Sequence, residues 1–308
     1  MDVTFDSIIG GGIRLVRTQP GVVAIWSFLY LLMMALMMAV MAPAMASMVA
    51  FQEQAAAAAA AGQVAPAAFP GQFFGRLIGM ELIFGLLMLM LFAAVVRAVA
   101  QPVGDRFAYL RIGMDELRLF GLMLILLLAA FAAELVAILL LVIIGAVLAL
   151  VIGKVVGIIV AVILGFGLFG AAIYAQVRLS LAGAFTVMRS RIVIKDAWRA
   201  TKGRFWTLFT AYLVLGVVFV VILLVGVAIS NPHLLSAYAS GNPQAINAAA
   251  QDQMAQQAGG WSIGTVVQII FNTIIGIFMV AIGFGAVATA ALESQGEGHV
   301  GALEQTFQ

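Results

Sequence analysis

Between Arg189 and Arg204 the chain carries six basic residues, Arg189, Arg191, Lys195, Arg199, Lys202 and Arg204, against one acid, Asp196. Trp198, Phe205 and Trp206 lie among them. Cations interleaved with aromatic rings suit a membrane surface. The rings anchor at headgroup level, and each Lys or Arg beside an anionic leaflet contributes about 1 kcal/mol. Arg189, Arg191, Lys195, Trp198, Arg199, Lys202 and Arg204 are therefore the expected contacts to anionic lipid. The plainer reading of the same charges is a topology anchor with no specific lipid.

A second polar set lies inside apolar sequence. Glu134 sits about 14 residues into a long apolar run, roughly 20 Å along a helix. An ionisable group at such depth faces a bundle interior or a wet cavity and points to function; a protonated, hydrogen-bonded Glu that fixes helix packing is the structural alternative. Gln268 and Asn272, with Thr265, fall at helical spacing in a later run, followed by Gly276, Gly283 and Gly285. With Glu134 they form the candidate intramembrane polar site. Interhelical hydrogen bonding and close packing explain the later stripe equally well, and glycine-rich faces of this kind also admit self-association into a homo-oligomer.

Other patterns point to packing. Met34, Met37, Met41, Met45 and Met48 share one helix face. Thioethers suit Cu(I), but no His or Cys accompanies them, and Met fills irregular apolar gaps well. Gly165, Gly167 and Gly170 match the dinucleotide fingerprint GxGxxG, yet they lie inside an apolar run rather than between a strand and a helix. The chain has no Cys, which excludes disulfides and thiolate metal sites. Its two histidines, His233 and His299, fall on opposite sides of the membrane in the layout below. No metalloprotease, nucleophile-elbow or P-loop motif is present. The sequence thus points to no enzyme, no metal and no cofactor.

The elements that must carry these residues follow from hydropathy. Of 308 residues 65% are hydrophobic and only 9% charged, with a mean hydropathy of +1.17. A soluble domain carries about 25% charged residues, so this surface belongs in lipid. A helix needs about 20 apolar residues to cross the hydrocarbon core. Six such spans are expected, at about 21–48, 77–96, 120–150, 155–177, 208–229 and 263–292. The third and fourth are split near Gly153 and Lys154 as a tight hairpin. The fold class is all-α, a polytopic membrane protein in which residues 1–308 form a single membrane domain. The formal net charge of +2 gives no argument for a nucleic-acid partner.

Basic residues collect on the cytoplasmic side of membrane proteins. In the six-span layout 13 of the 15 lie on one side, including Arg14, Arg17, Arg97, Arg106, Arg111, Arg118 and Arg178, and only Arg76 and Lys154 lie on the other. Both termini are therefore expected in the cytoplasm. A cleaved signal peptide ending near Ala42–Ala46 is the rival reading, but its apolar stretch is too long. The outer segments 52–72 and 231–261 are rich in Ala and Gln and read as short external helices or low-complexity loops. Three inner segments, Phe5–Pro20, Phe107–Phe120 and Ile192–Trp206, each read as a basic amphipathic helix at the interface leading into a span. Together they suggest a threefold repeat of interfacial helix plus hairpin.

The stretches FAYLRIGMDELRLF (Phe107–Phe120) and RLSLAGAFTVMRSRIVIKDAWRATKGRFWTLFTAYL (Arg178–Leu213) resemble a group of bacterial inner-membrane proteins. That group is related to the membrane domain of glycerophosphoryl diester phosphodiesterases. Arg14, Arg17 and Pro20 before the first span are similar too. The most specific part is Asp196, Trp198, Arg199, Thr201, Gly203, Phe205 and Trp206; the chain departs from the pattern in having no Pro shortly after Arg178. The phosphodiesterase catalytic domain has no counterpart in this sequence. The resemblance implies a bacterial inner-membrane location and a six-span layout, not an enzyme. The expected role is a non-enzymatic membrane component that contacts the anionic inner leaflet or supports envelope organisation. The alternative is a transporter or channel with a pathway near Glu134, Gln268 and Asn272.

Overall fold

The computed structural model describes residues 4–63, 71–101 and 107–306. Arg106 and most of the later half of the first outer segment lie outside them. Among the described residues every regular element is a helix: α1 (Phe5–Thr18), α2 (Pro20–Ala60), α3 (Gly71–Ala100), α4 (Met114–Val151), α5 (Lys154–Leu179), α6 (Ala182–Arg189), α7 (Ile194–Ala200), α8 (Phe205–Ser230), α9 (Pro232–Ser240), α10 (Pro243–Ala258) and α11 (Ile263–Thr306). Six are long and apolar enough to cross a membrane: α2, α3, α4, α5 with its continuation into α6, α8 and α11. This is the layout of an all-α, multi-pass membrane protein. In lipid, a helix satisfies its own backbone hydrogen bonds, which an open strand cannot do.

Local chemistry sets most boundaries. Pro20 opens α2, where its fixed φ and missing N–H cost nothing. The helix runs through Pro43 and continues well past residue 48 to Ala60. The extension is built from Ala55–Ala60, the best helix-forming residue type. Between α4 and α5 only Ile152 and Gly153 intervene, and Gly153 takes φ 122°, which a side chain would strain. Pro232 and Pro243 each begin a short helix, and the Asn242 side chain caps α10 by accepting from the Gln244 N–H at 3.0 Å.

Contacts group the chain into two compact units. The first comprises Met1–Gly12, Phe92–Leu213 and Phe284–Gln308. Its α4–α5 hairpin is sealed by small residues. A Cβ on Gly157 would meet the Ala149 backbone nitrogen at 2.8 Å, and Gly145 and Gly165 face Ala161 and Leu141. These pairs step in opposite directions along the two helices, an antiparallel register that sets Glu134 level with Ala172. Elsewhere in the unit α6 is sunk among apolar neighbours, with Ala182, Ala184, Phe185, Thr186 and Val187 buried. Phe92 meets Phe284 edge-on at 5.0 Å. Gly11 and Gly12 lie against Thr289 and Gly285 so closely that a Cβ on Gly285 would stand 2.7 Å from the Gly12 Cα.

The second unit comprises Ile13–Leu91 and Val214–Gly283. Its core holds the methionine face. Met33, Met41, Ala44 and Met80 are buried, and Met37, Met45, Phe73, Leu77, Phe84 and Leu87 pack around them. Trp26 is fully buried. Tyr30 meets Phe84 edge-on at 6.1 Å and fills the space that Gly276 leaves open. Helix α10 packs against the extended part of α2, where Gln52 reaches Met254.

The three inner segments do not fold alike. Phe5–Thr18 and Ile194–Ala200 are helices, α1 and α7. Phe107–Phe120 is not one amphipathic helix. Ala108 and Tyr109 both take left-handed backbone (φ 52° and 60°), which ends any helical run, and helix resumes only at Met114. The cause is tertiary: the Arg97 guanidinium donates to the Tyr109 carbonyl at 3.2 Å and holds the turn against α3. Each left-handed residue costs about 1–2 kcal/mol.

Candidate anion-binding face

The basic segment is assembled at one end of the first unit. Helix α5 ends at Leu179, and the hydroxyls of Ser180 and Tyr212 lie 3.1 Å apart, tying that end to the start of α8. After α6 the chain turns on Ser190 in left-handed geometry and enters α7. A second turn follows at 201–204, with Gly203 at φ 83°. Thr201 is fully buried at this turn. Its hydroxyl lies 3.0 Å from the Arg178 carbonyl and 2.9 Å from that of Ala197, which fastens α7 to the end of α5.

Around this joint stands an aromatic group. Tyr174 contacts Trp198 at 6.0 Å and Phe205 at 5.0 Å between ring centroids, and Phe205 stacks on Phe209. Arg178 lies against it. Its guanidinium carbon is 4.7 Å from the Trp198 ring centre and 5.8 Å from that of Tyr174. Arg178 is 4% exposed. Its Nε is sealed from solvent without a hydrogen-bond partner, and no carboxylate pairs with it among the described residues. Cation–π contact contributes about 2 kcal/mol when desolvated, but it gives the buried Nε–H no oxygen acceptor.

The seven residues expected to contact lipid divide into groups here. Arg189 is in direct contact with the Asp196 carboxylate and also lies over Phe185 at 5.1 Å. Arg191 reaches the same Asp196 oxygen at 3.7 Å. Lys195, Arg199 and Lys202 are exposed and pair with no acid among the described residues. Arg204 is half-buried. Trp198 is 40% and Trp206 72% exposed. Arg178 is the member that sequence reasoning passed over, counting it only among the charges that set orientation. The signal was Tyr174 four residues earlier, on the same helix face.

The intramembrane candidates stand apart in character. Glu134 is exposed on the side of α4, within the first unit. Gln268 and Asn272 belong to the second. Gln268 lines a cavity of about 720 Å³ together with Asn231, Gln253, Gln256, Ser262 and Thr265, and Asn272 is exposed. The glycines following in α11 are engaged within their own units: Gly276 by Tyr30, Gly283 by Phe219, Gly285 by Gly12. Gly165, Gly167 and Gly170 lie within α5, with no strand before them.

Fold and site together define a class: a helical multi-pass membrane protein with a basic, aromatic-lined face at one end of a compact unit. No family model, curated protein or solved structure matches the chain.

Proposed function

We propose that this is a non-enzymatic protein of a bacterial inner membrane, both termini cytoplasmic, whose α7 face binds the anionic lipid of the inner leaflet. One observation carries the reading: Lys195, Arg199 and Lys202 stand exposed, with no acid paired to them among the described residues, beside two exposed indoles, Trp198 and Trp206. The local acid, Asp196, is taken by Arg189 and Arg191. The bias of 13 of 15 basic residues to one side of the layout supports the orientation. The resemblance to the membrane domain of glycerophosphoryl diester phosphodiesterases agrees with the location, and a role in envelope organisation would rest on the same face.

The test uses the protein's own indoles. Reconstituted protein is titrated with brominated phosphatidylglycerol or brominated phosphatidylcholine, and tryptophan quenching is read. The wild type should favour the anionic lipid, and a Lys195→Gln/Arg199→Gln/Lys202→Gln variant should lose that preference. Equal quenching by the two lipids in the wild type would sink the reading.

A further inference from the structure

We infer that Arg178 anchors a discrete site for a phosphate group, as a lipid headgroup presents it, set between the end of α5 and the 201–204 turn. The inference rests on the lipid reading above and deepens it, from a diffuse charged face to one stoichiometric site. Arginine stays protonated in proteins. A buried cation needs an anion or a full set of acceptors, or it is strongly disfavoured. Arg178 is 4% exposed and has neither among the described residues.

The one acid near it in sequence is committed elsewhere. Asp196, two residues before Trp198, goes to Arg189 and Arg191 instead. Between Arg178 and Arg204 it is the only acid among seven basic residues. The site is therefore cationic, and no described residue completes it.

Geometry narrows the ligand class. The Trp198 and Tyr174 rings stand nearly perpendicular to each other beside the guanidinium and offer it no oxygen acceptor. An arginine carries its Nε–H and one terminal N–H parallel. That pair matches two oxygens of one phosphate, a bidentate fit that a lysine ammonium cannot copy. Trp198, beside the guanidinium, is 40% exposed, and Lys202, next to the Thr201 that bonds the Arg178 carbonyl, is exposed.

Native mass spectrometry of the full chain, purified in detergent and supplied with phosphatidylglycerol or with a phosphate-free glycosyl diacylglycerol, tests the site. The wild type should hold a single phosphatidylglycerol through collisional activation and no glycolipid. Arg178→Met and Arg178→Lys should both lower occupancy by about tenfold or more. Inorganic phosphate added alone separates the two sources. If it displaces the lipid, free phosphate shares the site; if it does not, the headgroup is bound as lipid. Either result supports a phosphate site.

Undiminished occupancy in Arg178→Met overturns the proposal and makes the residue a packed strut. Full occupancy in Arg178→Lys overturns the bidentate geometry. Should the variants fail to fold, ¹⁵N–³¹P dipolar recoupling on wild-type protein in phosphatidylglycerol bilayers reads the contact directly. Absence of any arginine Nε near phosphorus then counts against it. The lipid reading and this site fail separately. The Lys195/Arg199/Lys202 variant should lose its preference for anionic lipid in quenching yet keep the single bound phospholipid. If it keeps the preference and Arg178→Met loses the bound lipid, the site stands and the diffuse face falls.

Discussion

Arg97 and Arg178 occupy the same kind of place and are treated in opposite ways. Each lies in the last turn of an apolar helix, α3 or α5, and each is largely buried. Arg97 is met by Glu116 at 2.7 Å, by Asp115 at 3.4 Å and by the Tyr109 carbonyl. Those acids come from the first turn of α4, where they also favour the helix dipole, and Glu116 caps that helix by accepting from the Gly113 N–H at 2.9 Å. Arg118 closes the group on the other Asp115 oxygen. Among the described residues Arg178 is met only by rings. The first arginine completes a local, nearly neutral knot that fixes a turn. The second ends a helix whose continuation is basic, and its charge stays uncompensated. The same side chain is a fastener in one region and a receptor in the other.

That contrast can be broken by stability measurements. The largest effect is expected from Arg97→Met, which strands Glu116, leaves Asp115 to Arg118 alone and releases the left-handed turn at Ala108 and Tyr109. It should cost about 3 kcal/mol, the low end for breaking a buried ion pair, read from unfolding in lipid-free detergent. Arg178→Met under the same conditions should cost less than about 1 kcal/mol or stabilise, because the ring contacts it loses are offset by removing a buried charge with no partner among the described residues. An equal cost for the two would erase the distinction between fastener and receptor. The smallest effect sharpens it. Raising salt from low to near-molar ionic strength, where the Debye length falls to about 3 Å, should weaken the lipid preference carried by exposed Lys195, Arg199 and Lys202. It should leave unfolding of the Arg97 knot within about 0.5 kcal/mol, since partly buried pairs are screened far less.

Much of the architecture is written locally, and so could be read. The six long helices follow from run length, and the hairpin break at Gly153 follows from a glycine where the chain must reverse. The short helices α9 and α10 announce themselves by Pro232 and Pro243. The Phe107–Phe120 segment was not legible, because its left-handed turn depends on Arg97 reaching across from another helix. The candidate face divides in the same way. The basic and aromatic residues of α7 could be named from spacing. That Asp196 pairs with Arg189 and Arg191, leaving Arg178 to Trp198 twenty residues downstream, is a choice made only by packing. The methionine face was largely legible: of Met34, Met37, Met41, Met45 and Met48, Met41 is in the core and Met37 and Met45 pack against it, and packing adds Met33.

Helix α2 carries a further consequence. Its 41 residues extend about 60 Å at 1.5 Å per residue, twice the roughly 30 Å thickness of bilayer hydrocarbon. A helix of that length cannot be swallowed whole by the membrane without extreme tilt, so it acts as a mast. Its alanine-built C-terminal portion, packed against α10, exceeds what the hydrocarbon can hold and fixes how far the glutamine-rich helix is kept from the apolar stretch.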